Sequence, residues 1–234
     1  MSNNKNKSNR NMDKLFDDGT SASKLFVLVG KSFRGKSYLM RYILTDWLNR
    51  EKVAFGLVFC KTTFNNDFTS FLPKDKVIEG YDEKILQRYV ENIKNIIKEN
   101  GSIPHSFLIF DDLTGVLNNG TDWFNNFIAT FRHYNISIFI SAQYLTGKKA
   151  ISTIMREQTN YCIMFQSRTR RTLENLYESY GGLFSTFDQF KDHFLRATHE
   201  QYTALLYSEH IDELEDNYIS IRAPKDFPKI KFDF

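Results

Sequence analysis

The sequence predicts an α/β domain built on a central, mainly parallel sheet with helices on both faces. Three observations predict it. Short apolar runs of strand length alternate with longer stretches of helical spacing through most of the chain. A glycine-containing loop joins the first apolar run to the first helical stretch. Of the 234 residues 41% are apolar and 15% aromatic, which suffices for one substantial core, while only 4 prolines and 11 glycines exclude fibrous and low-complexity classes.

Residues 1–23, rich in Asn, Ser and Lys, read as a disordered basic tail that serves solubility or touches DNA or a partner. Leu25 to Val29 is the first strand, and Leu39, Tyr42, Ile43 and Trp47 share one face of the helix after the loop. Val53 to Cys60 is the second strand, and residues 61–80 look irregular. From Glu83 to Lys98 the spacing of Ile85, Leu86, Tyr89, Val90, Ile93, Ile96 and Ile97 predicts a helix ended by Gly101. Phe107 to Phe110 is the third strand and leads to Asp111 and Asp112. Trp123, Phe124, Phe127, Ile128 and Phe131 form the next helical stripe, capped by Thr121 or Asp122.

Ile136 to Ser141 and Tyr161 to Phe165 are the fourth and fifth strands. A helix from Thr169 to Tyr180 stops at Gly181-Gly182. Residues 186–197 read as helix and Tyr202 to Tyr207 as a late strand. The boundaries are therefore a tail over 1–23, one domain over 24–210 and a C-terminal extension over 211–234, extended over the surface from Ser220 onward.

A net charge of +3 neither establishes nor excludes nucleic acid as a partner. Cys60 and Cys162 sit in apolar runs without metal spacing and read as reduced core thiols. The N-terminus lacks a secretory pattern, and the apolar runs are too short to span a bilayer, so an intracellular protein is expected.

In an open parallel sheet, ligands bind at the carboxyl ends of the strands, where the informative polar residues fall. Gly30-Lys31-Ser32-Phe33-Arg34-Gly35-Lys36-Ser37 fits the pattern G-x-x-x-x-G-K-[ST] between a strand and a helix, the context a phosphate-binding P-loop requires. Its glycines let backbone N–H groups wrap an anion, and the helix adds its positive end. Lys36 would reach the β- and γ-phosphates and Ser37 would ligate Mg²⁺; Tyr38 follows in the same nucleotide-binding stretch.

Asp111 and Asp112 end an apolar strand, as in a Walker B element. Asp111 would hold Mg²⁺ through a water, and Asp112 would orient or deprotonate the attacking water. Asp112 is shorter than the Glu many motors use. Gln143, after Ser141-Ala142, is either a γ-phosphate sensor or a solvated loop residue. Arg132 fits the C-terminal end of a helix dipole and equally an arginine finger reaching a neighbour's nucleotide. Arg168, Arg170 and Arg171 crowd a helix start, where cations are disfavoured, and read as a solvated face or as a contact for an anionic partner. Lys148 and Lys149 are either solvated or contact DNA phosphates.

A small GTPase is disfavoured because no N-K-x-D stretch lies between Asp112-Leu113-Thr114-Gly115 and Ser141-Ala142. An ABC ATPase would need an L-S-G-G-Q signature, which is absent, and a nucleotide kinase is disfavoured because the region of its usual Arg-rich lid is the aromatic helix 121–131; a small-molecule kinase stays a third reading.

The set G-K-S-F-R-G-K-S, F-L-I-F-D-D-L and F-R-H-Y-N-I-S-I-F-I-S-A-Q resembles the viral genome-packaging ATPases of the HerA/FtsK superfamily. These are the pox-type packaging ATPases of large DNA viruses and their virophages. The stretch Asp67 to Pro73 is similar as well, and the resemblance covers residues 24–207. It implies a RecA/ASCE-like P-loop NTPase that assembles as a homo-oligomeric ring, hydrolyses ATP with Mg²⁺ and drives double-stranded DNA into a preformed capsid. The implied place is the host-cell cytoplasm or viral factory, and the implied partner is a capsid protein at the packaging vertex. It implies Lys36 and Ser37 as Walker A, Asp111 and Asp112 as Walker B, Gln143 as sensor and Arg132 as the trans-acting arginine. A switch or assembly factor without translocation is the competing reading.

Overall fold

A computed structural model describes residues 23–50, 52–63, 67–147, 150–208, 218–227 and 231–232. Strands β1 (Leu25–Val29), β2 (Phe55–Cys60), β3 (Val77–Glu79), β4 (Ser106–Asp111), β5 (Ile136–Ala142), β6 (Tyr161–Phe165), β7 (Thr203–Ser208) and β8 (Tyr218–Arg222) form one sheet in the order β3-β2-β4-β5-β1-β6-β7-β8. β1 to β6 pair in parallel, and β7 and β8 add antiparallel pairings at one side. β5 lies between β1 and β4, so one strand separates the loop after β1 from the carboxylates after β4.

The central strands are buried on both faces, which explains their unbroken apolar runs. Alternate residues divide between two cores. Leu25, Val27 and Val29 face one core with α2 (Glu83–Asn100), α4 (Asp122–Thr130), α6 (Arg170–Tyr180) and α7 (Phe187–Ala197). Phe26 and Leu28 face the other, with α1 (Lys36–Asn49) and the segment of Phe68, Phe71 and Leu72. Phe26 stacks on Phe139 at 4.5 Å and on Tyr161 at 5.0 Å, and it meets Trp47 edge-on. Truncating such a wholly buried ring costs about 3–5 kcal/mol.

The helix ends follow their capping chemistry. Asp82 accepts the Lys84 and Ile85 amides at the start of α2, and Gly101 ends it at φ 75°. Thr121, of the two candidates, caps α4 by accepting the Phe124 amide at 3.2 Å. Gly181 follows α6.

Six elements depart from the expected pattern. The segment expected to be irregular holds two 3-10 turns, Asp67–Ser70 and Lys74–Lys76, and then β3. Three residues are too few for a period-two pattern to register. Short helices α3 (Thr114–Leu117) and α5 (Thr153–Glu157), of one turn each, occupy stretches to which no element was assigned above. β8 brings residues 218–222 of the C-terminal extension, expected to lie over the surface from Ser220 onward, into the main sheet. Its Tyr218 and Ile221 are buried, and the Tyr218 hydroxyl donates to the Tyr180 carbonyl at the end of α6. Residues 1–22, Lys148 and Lys149 lie outside the described residues.

Candidate nucleotide-binding site

The loop between β1 and α1 is held from below. The Gly30 amide donates to the Ala142 carbonyl at 3.0 Å, which fixes the loop's start to the end of β5. A Cβ on Gly30 would lie 2.7 Å from Cβ of Phe165, so only glycine lets the loop leave β1 against β6. Gly35 turns into α1 at φ 96°, a conformation that L side chains adopt at a cost. Phe33 takes φ 62° at the loop's tip, and its ring is 98% exposed.

Inside this curve Lys36 is buried. Its ammonium donates to the Gly30 carbonyl at 2.7 Å and to that of Lys31 at 3.2 Å. Burial lowers its pKa, and the charges of Asp112 and Asp111 oppose that shift. Lys31 and Ser32 are exposed, while Arg34 donates to Gln166 Oε1 at 3.1 Å. Gln166 follows β6 and carries no motif that would mark it as a site residue.

Across β5, Asp111 completes the arrangement. Ser37 Oγ lies 3.1 Å from Asp111 Oδ2 and 3.3 Å from Oδ1. Ser141 donates to Asp111 Oδ1 at 2.5 Å, and its oxygen accepts the Asp112 amide at 2.9 Å. The register pairs Asp111 with Ser141, so a strand-end serine braces both halves of the acidic pair. Burial raises the Asp111 pKa, and Asp112 adds to this; Ser141, Ser37 and Lys36 pull the other way. Asp112 sits at φ 55° with its Oδ1 buried and without a hydrogen-bond partner.

These residues fit Mg²⁺. A hydroxyl and a carboxylate converge, a second carboxylate stands beside them with an orphaned oxygen, and Mg²⁺ takes one or two carboxylates plus phosphate oxygens and waters. Among the described residues no group of three or more His, Cys, Asp or Glu could hold a metal alone.

Gln143 Nε2 donates to Ser32 Oγ at 3.2 Å, which places it against the loop. Tyr38, in the first turn of α1, points away from Asp111; its hydroxyl donates to the carbonyls of Pro224 at 3.0 Å and Lys225 at 2.6 Å. Arg168, Arg170 and Arg171 are exposed at the same strand ends. Arg170 pairs with Glu174 at 2.7 Å, and Arg171 lines a cavity of about 260 Å³ with Val29, Tyr144 and Thr146. Arg132 is elsewhere, at the amino ends of the strands. It donates to the Gln158 side chain at 2.5 Å, and to the Gln158 carbonyl and Asn160 Oδ1 at 3.1 Å each.

A parallel sheet with an extra strand between the glycine loop and the acidic strand, and a lysine buried within that loop, define a P-loop ATPase. The family model described as "Poxvirus A32 protein" matches residues 16–181. The chain belongs to that family. Protein 075L of Invertebrate iridescent virus 6 is 28% identical over 181 residues, which span 76% of this chain and 68% of that protein. The genome packaging NTPase B204 from Sulfolobus turreted icosahedral virus 2, solved with ATP-gammaS, shares the fold at a TM-score of 0.62 and 18% identity, covering 86% of this chain and 97% of that one. B204 from Sulfolobus turreted icosahedral virus, described as a DNA-packaging ATPase, gives a TM-score of 0.59 and 18% identity over 88% of this chain and 100% of that one. Among the described residues no helix is long and apolar enough to cross a membrane.

Proposed function

We propose that this protein is the ATP-driven motor that moves double-stranded DNA into a preformed viral capsid. Membership of the Poxvirus A32 family and a fold shared with two packaging NTPases support the reading. The observation that carries the chemistry is the Ser37–Asp111 contact at 3.1 Å, with Lys36 in the loop and Asp112 beside it.

The phosphates of ATP lie along the loop amides and the start of α1, with Lys36 turned from the loop carbonyls toward the β- and γ-oxygens. Ser37 and Asp111 would hold Mg²⁺, which neutralises charge developing on the phosphates. Asp112, with an unpartnered oxygen, orients and deprotonates the attacking water. Gln143 reports on the γ end from its contact with the loop.

Arg132 stands far from its own chain's loop, so a catalytic role belongs to a neighbouring copy's site in a ring. It would have to release Gln158 and Asn160 to act there. The arginines Arg168, Arg170 and Arg171 would meet DNA phosphates. A capsid protein at the packaging vertex is the further partner, in the host cytoplasm or viral factory.

The test is the ATPase rate with and without long double-stranded DNA. Stimulation is expected, and Lys36→Ala should abolish both basal and stimulated rates. A Lys36-dependent rate indifferent to DNA would point to a nucleotide switch instead of a translocase.

A further inference from the structure

The C-terminal segment after β8 builds a second chamber against the P-loop. A cavity of about 370 Å³ opens beside Gly35 and Tyr38, walled by Tyr202 before β7 and by Ala223, Pro224 and Lys225 after β8. We infer that this chamber receives the base and ribose of the nucleotide, with Tyr202 as the stacking surface and the 223–225 strap as the opposite wall. The inference rests on the P-loop reading of the Proposed function.

Topology sets the direction. Asp111 and the inner end of the loop mark where the γ-phosphate lies, and β4 is two strands to one side of β1. A triphosphate running along the loop amides reaches its α-phosphate near the first turn of α1. Its nucleoside therefore leaves past Gly35 and Tyr38, away from Asp111, toward the side of the sheet that holds β7 and β8. The chamber lies in that path, within the size range of small-ligand sites, which begins at about 300 Å³.

The walls are braced from both ends. The Tyr38 hydroxyl donates to the Pro224 and Lys225 carbonyls, tying the strap to the Walker A helix. Arg222 pairs with Glu200 at 3.1 Å, tying the start of the strap to the turn that carries Tyr202. Phe227 packs edge-on against Tyr38 and Tyr42, with the Arg41 guanidinium over its ring. The space is thus preformed.

Tyr202 supplies a separate observation. It adopts φ 64°, where a bulky residue is strained, and its ring is held over the P-loop glycine: a Cβ on Gly35 would come within 3.3 Å of Tyr202 Cδ1. Half of the residue is still exposed, so burial does not account for the strain. Backbone strain of this kind persists at ligand clamps, where it positions a group for binding. An aromatic face offered to a base is a sequence-tolerant stacking platform.

The experiment compares Mg²⁺-ATP with inorganic tripolyphosphate, which carries the phosphates without the nucleoside, in equilibrium binding to the full chain. The wild-type protein should bind ATP more tightly than tripolyphosphate. Tyr202→Ala should weaken ATP binding by about tenfold and leave tripolyphosphate binding unchanged, and Tyr202→Phe should bind both as the wild type does. Equal wild-type affinities overturn the inference, as does a Tyr202→Ala variant that binds ATP normally or loses both ligands alike. Lys36→Ala tests the underlying reading separately: unchanged binding of both ligands there removes the P-loop site itself.

Discussion

At the amino ends of the strands, one set of polar side chains forms a continuous hydrogen-bonded clamp. Arg132 spends its guanidinium on Gln158 and Asn160, and Asn160 in turn accepts the Leu25 amide at 2.9 Å. Ser137 accepts the Lys24 amide and meets His105 Nε2 at 2.8 Å, while Asn135 donates to the Ile103 carbonyl. At the carboxyl ends, a lysine is buried against backbone carbonyls, an aspartate is held above its usual pKa, and its neighbour keeps a buried oxygen without a partner. Phe33, Asp112 and Tyr202 all take positive φ there; at the amino ends Asn135 is the one described residue other than glycine that does so, and asparagine tolerates it well. Buried polar atoms without a partner occur at both ends, the Ser23 and Ser208 hydroxyls among them at the amino side, so what separates the ends is the backbone strain and the buried charges gathered at the carboxyl side. The contrast teaches that the two ends answer mutation in opposite ways.

The sharpest test is Asp111→Asn. Hydrolysis should fall by roughly 100-fold or more, in line with removing a transition-state stabiliser. Stability should rise at neutral pH. A carboxyl whose folded pKa is raised favours folding while protonated, below its ordinary value of 3.8, and that advantage is lost as pH rises through the folded pKa. The amide cannot ionise and escapes the penalty. A lower Tm at pH 7 would break the comparison.

Arg132→Ala should act the other way. It strips donors from three acceptors on two residues at the amino edge, and a loss of about 2 kcal/mol is expected, a drop in Tm of roughly 4–8 °C. Affinity for ATP should be unchanged. Turnover measured well below the lowered Tm separates clamp from finger: parental turnover there removes Arg132 from any neighbour's site.

The smallest effect concerns His105. Burial pushes its pKa down from 6.5 to about 4, so it is neutral in the fold and its contribution is present above pH 6.5 and lost as pH falls toward 4. The Tm of the parent should decline through that window more steeply than that of His105→Gln. Parallel curves would show that this imidazole does not set the acid limb.

The sheet was legible because its central strands are apolar runs and its long helices carry periodic stripes, and both signals survive without tertiary context. The loop residues Gly30 to Ser37 and the acidic pair were legible for a related reason: each adjoins a strand whose direction places it. Ser141 was read only as a neighbour of Gln143. Its contact with Asp111 and Asp112 depends on the register of β4 against β5, and a lone serine does not encode register. Tyr202, Pro224 and Lys225 were invisible as site residues. They come from the far end of the chain and reach the P-loop only because β7 and β8 fold back antiparallel beside β6. Arg132 was visible as a cation near a helix end, but its partners Gln158 and Asn160 lie 26 and 28 residues downstream.

β3, the strand at one margin of the sheet, has only three residues. So short a border offers few unpaired amides and carbonyls to a passing strand, which is how soluble proteins discourage fibre-like growth. Copies of this chain that gather at high local density are thereby steered away from sheet extension at that margin. Their association there has to use side-chain surfaces, which can be separated again without unzipping a backbone ladder.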